Sequence, residues 1–357
     1  MSTESPKLRI KDIAKLAGVS EGTVDRVLHN RGDVSQKSRD AVNKVLDEIN
    51  YTPNLLARSL ASKRSYKFLY LIPQYQPNDY WEIVDKGFAQ AAAEFSHYNV
   101  QIENLYFNQY DANSFIEMTE KAIKISPDAV FLAPIFKNES LSFSNQLAKL
   151  NIPISFIDSM IPEAEFATYY GQDSFQSGYI AAKMLIGTLP LQSQILIIRT
   201  QRKGAVSNQT ILRYNGFMKY ISENNIDNQL NIINIELNNN DEDSNRKIIE
   251  QCIAENKNLK AAITFNSKVH SLAKLLVDLG QAKLKLVGYD LLEKNVEYLK
   301  SGVINILIAQ RPDKQSYSTV RDMCKQLIYR QEVKKINYMP IDILIKENID
   351  DYMNFVE

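Results

Sequence analysis

The sequence predicts an N-terminal all-α helix-turn-helix domain followed by an α/β body of two doubly wound parallel-sheet lobes. Three observations predict it. The first 50 residues carry only short helical patterns, and the composition changes near residue 66. From there apolar runs of strand length alternate with helical patterns, the order in which crossover helices cover both faces of a parallel sheet. More than nine candidate strands over ~270 residues are better shared between two sheets than forced into one. A length of 357 residues, at roughly 150 per domain, allows two or three domains.

In the head, Ile10, Ile13, Ala14 and Ala17 recur at the spacing that lines one helical face, and Gly18 stops the helix. Ser20 is a natural N-cap for a second helix. Its Val24, Val27 and Leu28 fall on one face, leaving Glu21, Gly22, Thr23, Asp25 and Arg26 to point elsewhere. Two short helices joined by a tight Gly-Val-Ser turn make a helix-turn-helix. Ser35 caps a third helix, with Ala41, Val42, Val45, Leu46 and Ile49 as its buried stripe. Pro53 ends this unit, because proline disfavours helical geometry in the residue before it. Asn54 then caps a helical stretch over 55–62. Isolated helices under ~12 residues are marginal in water, so this one needs a partner.

In the body the strand-like runs are 68–72, 99–105, 129–133, 154–157, 168–171, 194–199, 231–236, 261–265, 284–289 and 304–309. Helical patterns fit over 84–95, 115–125, 175–185, 208–224, 243–255 and 269–279, and no internal repeat is found.

Charge adds a constraint only when counted by segment. Lys plus Arg and Asp plus Glu are 42 each, yet the chain through Tyr66 is +4 and the rest −4. A 45% hydrophobic and 24% charged composition excludes a disordered chain or a coiled-coil rod. The apolar runs fall far short of the ~18 residues a membrane span needs. Nothing near Met1 reads as an export segment, so a cytoplasmic protein away from membranes is expected. Cys252 and Cys324 lack metal-site spacing and read as reduced core thiols; no cofactor or metal is expected.

The head strings Ile10-Lys-Asp-Ile-Ala-Lys-Leu-Ala-Gly-Val-Ser20, Gly22 to Leu28, Val34-Ser35 and Asn50-Tyr51-Thr52-Pro53-Asn54, with Ala57 and Leu60, resemble the DNA-binding head and hinge of LacI/GalR-family bacterial transcription regulators. The body resembles that family's periplasmic-binding-protein-like sensor. Gly171-Gln-Asp173, Arg213-Tyr-Asn-Gly-Phe217, Phe265-Asn266, Val287-Gly-Tyr-Asp290 and Gln310-Arg-Pro312 carry this, through their order and spacing. The resemblance implies a helix-turn-helix domain over 1–53 and a hinge over 54–66. It further implies a first sensor lobe of 67–161 with about 290–320, and a second of 162–289 with about 321–357.

A helix fits the DNA major groove, and its first exposed side chains reach base edges. Arg26 is the candidate for a bidentate guanine contact, and Ser20, Thr23, Ser35 and Lys37 for phosphates. Glu21 and Asp25 either accept from cytosine amino groups, pair with a cation, or serve the helix dipole. Gly22 offers no side chain. His29 is either a DNA contact or a solvated residue. The resemblance implies that Asn54, Ala57 and Leu60 belong to a hinge helix that folds against its dimer partner and wedges leucine into the minor groove.

Ligands of doubly wound folds bind beyond the carboxyl ends of strands. There the sequence places Tyr75, Tyr80, Trp81, Asp158 and Ser159, and the family's ligand positions map onto Asp173, Asn208, Arg213, Asn266, Asp290 and Gln310. Aromatic faces stack on sugars while carboxylates and amides bind hydroxyls, so a sugar or sugar acid is the leading effector and a purine or nucleoside the alternative. Each polar residue taken singly is also explained by a turn or cap. An enzyme is disfavoured: no GxGxxG follows a strand, no P-loop or GxSxG elbow exists, and only His29, His97 and His270 offer imidazoles. A transport binding protein has no use for the head. The expectation is a ligand-responsive repressor of carbohydrate-utilisation genes that binds double-stranded operator DNA as a homodimer.

Overall fold

The computed structural model describes residues 9–28, 32, 34–49, 64–201, 207–226, 229–238 and 241–356. The chain divides into two units, 1–62 and 63–357. His29, Asn54, Ala57, Leu60 and the expected hinge helix lie outside the described residues.

The first unit holds α1 (Ile10–Ala17), α2 (Glu21–Leu28) and α3 (Gln36–Glu48). Their apolar stripes close one small core of Ile13, Ala14, Val24, Val27, Val42 and Val45. Gly18 ends α1 at φ 66°, in the left-handed region that glycine enters without strain. Ser20 Oγ accepts from Thr23 N at 3.2 Å and starts α2, and Ser35 Oγ accepts from Ser38 N at 3.3 Å at the start of α3.

The body begins with β1 (Tyr66–Pro73), α4 (Tyr80–Phe95), β2 (Val100–Phe107), α5 (Ala112–Ile125), β3 (Ala129–Leu132), α6 (Lys137–Lys149), β4 (Ile154–Ile157) and β5 (Tyr169–Gln172). The next elements are α7 (Ser174–Ile186), β6 (Ser193–Gln201), α8 (Asn208–Glu223), β7 (Leu230–Asn238), α9 (Glu242–Glu255), β8 (Leu259–Thr264), α10 (Val269–Asp278), β9 (Lys285–Tyr289), α11 (Glu293–Lys300) and β10 (Ile306–Ala309). The chain ends with α12 (Pro312–Leu327), β11 (Ile336–Met339), β12 (Asp342–Leu344) and α13 (Ile349–Val356).

Two six-stranded sheets result, ordered β11-β5-β4-β3-β1-β2 and β12-β10-β9-β8-β6-β7. Every pairing is parallel except β10 with β12. The central strands are buried along their length apart from Lys67 and Lys260 near the strand starts, as strands covered on both faces must be. Tyr70 stacks on Phe88 at 4.1 Å between β1 and α4, a contact worth about 0.5–1.5 kcal/mol beyond the area it buries. β1 to β5 and β6 to β10 follow the same strand order, a repeat of topology with no counterpart in the sequence.

The lobe boundaries differ from the sequence expectation. β5 pairs with β4, so 169–172 belongs to the first lobe, and β10 pairs with β9, so 306–309 belongs to the second. α12 packs Val320, Met323 and Cys324 into the first lobe's core, and β11 also joins the first sheet. The chain therefore crosses between lobes three times, at 172–174, 309–312 and 339–342. Gln172 ties these crossings together, its Nε2 donating to Ala309 O at 2.9 Å and Pro340 O at 3.3 Å. Arg311 pairs with Asp342 through two bonds, 2.7 and 3.2 Å. Cys252 and Cys324 are free and buried. Among the described residues, no helix is long and apolar enough to cross a membrane, and no cluster of His, Cys, Asp or Glu could hold a metal ion.

α7 and α8 touch backbone to backbone. A methyl at Gly178 would collide with the Arg213 carbonyl, and one at Gly216 with the Phe175 carbonyl. Gly178→Ala should therefore destabilise the body by about 1–3 kcal/mol, read as a lower thermal midpoint, and should weaken ligand binding by displacing Arg213.

Candidate functional site

In the head, the exposed side of α2 presents Glu21, Gly22 and Arg26, with Thr23 and Asp25 half-buried beside them. Ser20 and Thr23 hydroxyls bond each other at 2.9 Å, and Ser35 and Ser38 do the same. These serines and threonine are thus engaged in starting their helices. The N-terminal N–H groups they orient, with exposed Lys37, form a surface suited to phosphate. Val24 and Val27 face the core, which aims Arg26 outward.

In the body, the carboxyl ends of strands from both sheets and the first turns of α4 and α8 converge on one cavity of about 100 Å³. One water needs roughly 10–15 Å³ of such space. The space therefore suits one small polar molecule. Of the residues expected from sequence, Tyr80, Trp81, Asp158, Ser159, Asn208, Arg213, Asn266, Asp290 and Gln310 line it.

Tyr75 and Asp173 are not among its walls, a correction to the sequence expectation. The Tyr75 hydroxyl donates to Asp85 at 2.9 Å, where Tyr70 and Tyr106 donate too, at 2.7 and 2.8 Å. Three phenols on one carboxylate pin the loop leading into α4. Asp173 caps α7, accepting from Gln176 N at 2.9 Å.

The two central acids come one from each lobe. Asp158 follows β4 and Asp290 follows β9; both are buried, and both sit in the left-handed region, at φ 66° and 69°. Non-glycine residues adopt that region at a cost, and the surroundings must enforce it. Tyr80 Oη donates to Asp158 Oδ1 at 2.7 Å. Gln310 Nε2 donates to Asp290 Oδ1 at 2.8 Å.

Two glutamines that the sequence reading missed join these acids across the lobes. Gln209 Nε2 lies 3.2 Å from Asp158 Oδ1 and 3.4 Å from Gln310 Oε1. Gln315 Oε1 accepts from Asp158 N at 3.0 Å while its Nε2 donates to Gln310 O at 2.8 Å. Gln310 and Gln315 each use both ends, so their amide orientations are fixed by their partners. Gln209 could have been found one residue into the helix that Asn208 opens; Gln315, inside a helix, left no such signal.

Arg213 is 1% exposed, which for a guanidinium demands partners. Its Nη1 donates to Phe265 O at 2.7 Å, and the group lies over the Tyr289 ring at 3.9 Å. Nε and Nη2 have no hydrogen-bond partner among the described residues. Two buried carboxylates thus stand against one buried guanidinium. Burial pushes the Asp290 carboxyl up to about 6, with Asp158 adding to the rise and Arg213 and Gln310 opposing it. Burial and the two carboxylates also hold the Tyr80 hydroxyl well above its ordinary value, so it stays a donor. The arrangement offers a polyhydroxylated molecule acceptors from both lobes and a donor pair from Arg213.

Residues 69–331 match the Periplasmic binding protein domain, and residues 9–54 match Bacterial regulatory proteins, lacI family. The HTH-type transcriptional regulator DegA of Bacillus subtilis (strain 168) is 31% identical over 180 residues, 50% of this chain and 52% of DegA, so the match spans about half of that relative's length. The Sucrose operon repressor of Lactococcus lactis subsp. lactis is 24% identical over 338 residues, 94% of this chain and 96% of that one. A crystal structure of a candidate LacI transcriptional regulator from Bacteroides fragilis is 36% identical, with a TM-score of 0.76 over 81% of this chain and 100% of that one.

A carboxyl whose folded-state value is raised from 3.8 to about 6 favours the folded state most when protonated. That contribution is complete below about pH 4 and is lost as pH rises through 6. Asp290→Asn should therefore raise the free energy of unfolding at pH 7.5 by about 1–3 kcal/mol, read as a higher thermal midpoint, with the difference closing as pH falls from 7 to 4. Calorimetry of both proteins across that range checks it.

Proposed function

The chain belongs to the lacI family of bacterial regulatory proteins, and from that footing we propose that it represses carbohydrate-utilisation genes as a homodimer answering to a neutral sugar held between its lobes. It is a DNA-binding transcriptional regulator; its relatives are regulators and not enzymes. The observation that carries the sugar reading is the convergence of Asp158 and Asp290, one per lobe, with Arg213 and Gln310 on one small cavity. Vicinal hydroxyls donate to carboxylates and accept from a guanidinium, so one ring satisfies groups from both lobes. Among the described residues the buried charges there are two carboxylates and one guanidinium, with half-buried Asp79 and exposed Lys268 also lining the cavity, so a sugar acid or phosphate meets net repulsion. Neutral sugars fit better.

Arg26 reads a guanine in the major groove, and the N-termini of α2 and α3 with Lys37 hold phosphates. A single small head offers too little contact for tight specific binding, which favours a dimer on a pseudo-palindrome of about one to two helical turns. An effector that prefers one inter-lobe angle then shifts operator affinity by its differential affinity for the two states.

Trp81 is the single tryptophan and lines the cavity, so its fluorescence reports binding. Titration with D-arabinose, D-glucose and D-galactose, the corresponding uronates, and adenosine should give saturable changes with a neutral sugar only. A response to adenosine alone would transfer the site to nucleosides. On DNA, the selected site should lose affinity steeply with salt, by a log–log slope near −0.9 per phosphate neutralised. Arg26→Ala should cost about 1–3 kcal/mol and relax preference at one base pair. A flat salt profile would contradict the DNA-contact assignment.

A further inference from the structure

Besides those on α8, the second lobe brings cavity-lining groups on two loops, 265–268 after β8 and 290–292 after β9. Neither is held by its own residues alone. α10 begins after Lys268, whose side chain makes no capping bond. The first N–H groups of a helix have no intrahelical acceptor, and one of them is met from elsewhere. His270 N donates at 3.0 Å to Oδ1 of Asn295, which belongs to the neighbouring helix α11. Asn295 thus caps α10 in trans, a task usually left to the residue preceding a helix. The same oxygen lies 2.8 Å from His270 Nδ1 and selects an imidazole with its proton there.

The other half of this amide faces the cavity loops. Asn295 Nδ2 approaches Ser267 O at 2.8 Å, Asp290 O at 3.0 Å and Tyr289 O at 3.1 Å. The side chain is fully buried, so water does not replace a bond lost there. It is not among the residues that line the cavity. In the first lobe Gln315 plays the matching part, holding the backbone of Asp158 from α12.

We propose that Asn295 is a positioning residue for ligand binding, which joins the start of α10 to the carbonyls of Ser267, Tyr289 and Asp290 and so sets the spacing between Asn266 and Asp290. This rests on reading the cavity as the effector site. Through Asn295, a side chain outside the cavity controls how well the second lobe's groups match a ligand held by the first.

Two variants of the full chain separate the cap from the clamp. Asn295→Ala removes both, whereas Asn295→Asp keeps an acceptor for His270 N–H and loses the donors. In hydrogen exchange without added sugar, Asn295→Ala should speed exchange at 269–271 and at 290–292 by about tenfold or more, and Asn295→Asp at 290–292 only. Exchange in β1 to β4 should not change. In Trp81 titrations with D-arabinose, D-glucose and D-galactose, both variants should bind the sugar that wild type binds about tenfold or more weakly. A uniform rise in exchange across 193–309 in both variants would mean general destabilisation and overturn the proposal, as would unchanged sugar affinity. Failure of wild type to bind any of the three sugars would count against the cavity reading, and the exchange pattern would then decide the clamp by itself.

Discussion

The structure depends on one constraint: two aspartates, Asp158 and Asp290, must be buried in left-handed backbone at the ends of equivalent strands and kept facing one cavity. Neither condition is favourable alone. Burial disfavours a carboxylate, and the left-handed region disfavours a residue with a Cβ. The surrounding polar groups offset part of these costs. Tyr80, Gln209 and Gln310 satisfy the carboxylates, while Gln315 and Asn295 hold the backbones. This is why so many buried amides gather in a small volume around Arg213.

The amides also give the lobes a mechanical relation. Gln209 reaches from α8 in the second lobe to Asp158 in the first, and Gln310 sits on a crossing segment between them. Gln172 and the Arg311–Asp342 pair fasten the three crossings to one another, so a change in lobe angle must be absorbed by the same short backbone segments. Contacts that bind both lobes at once bias such a two-state element only by what they gain in one state over the other. In the proposed function a sugar competes with Gln209 for Asp158 and adds contacts to Arg213 and Asp290. In that reading the exchange links effector binding to the lobe angle.

Much of this was legible in the chain because it is local. The helix-turn-helix follows from the Ile13, Val24 and Val42 stripes and from Gly18, and ten strands followed from apolar runs. What escaped had no apolar signal. α12 buries Gln315, Ser316, Thr319 and Asp322 along with its apolar residues, and α6 buries Ser140 and Ser144, so their periodicity is blurred. β11 and β12 are three or four residues long and largely half-exposed, and exist through pairing to β5 and β10. The lobe boundaries failed for the same reason, since pairing across the chain decides which sheet a strand joins. Tyr75 looked like a stacking residue because its neighbours Tyr80 and Trp81 are in the cavity. Its partner Asp85 is ten residues on, and no spacing rule marks it.

The most direct measurement of the central claim is operator affinity with and without the sugar that wild type binds, in wild type, Arg213→Ala and Asp290→Ala. The account predicts that sugar shifts wild-type affinity by about tenfold or more, within the range of ordinary allosteric couplings. Both variants should bind the operator as wild type does without sugar and should not respond to it. Variants that lost operator binding, or that bound and responded normally, would contradict it.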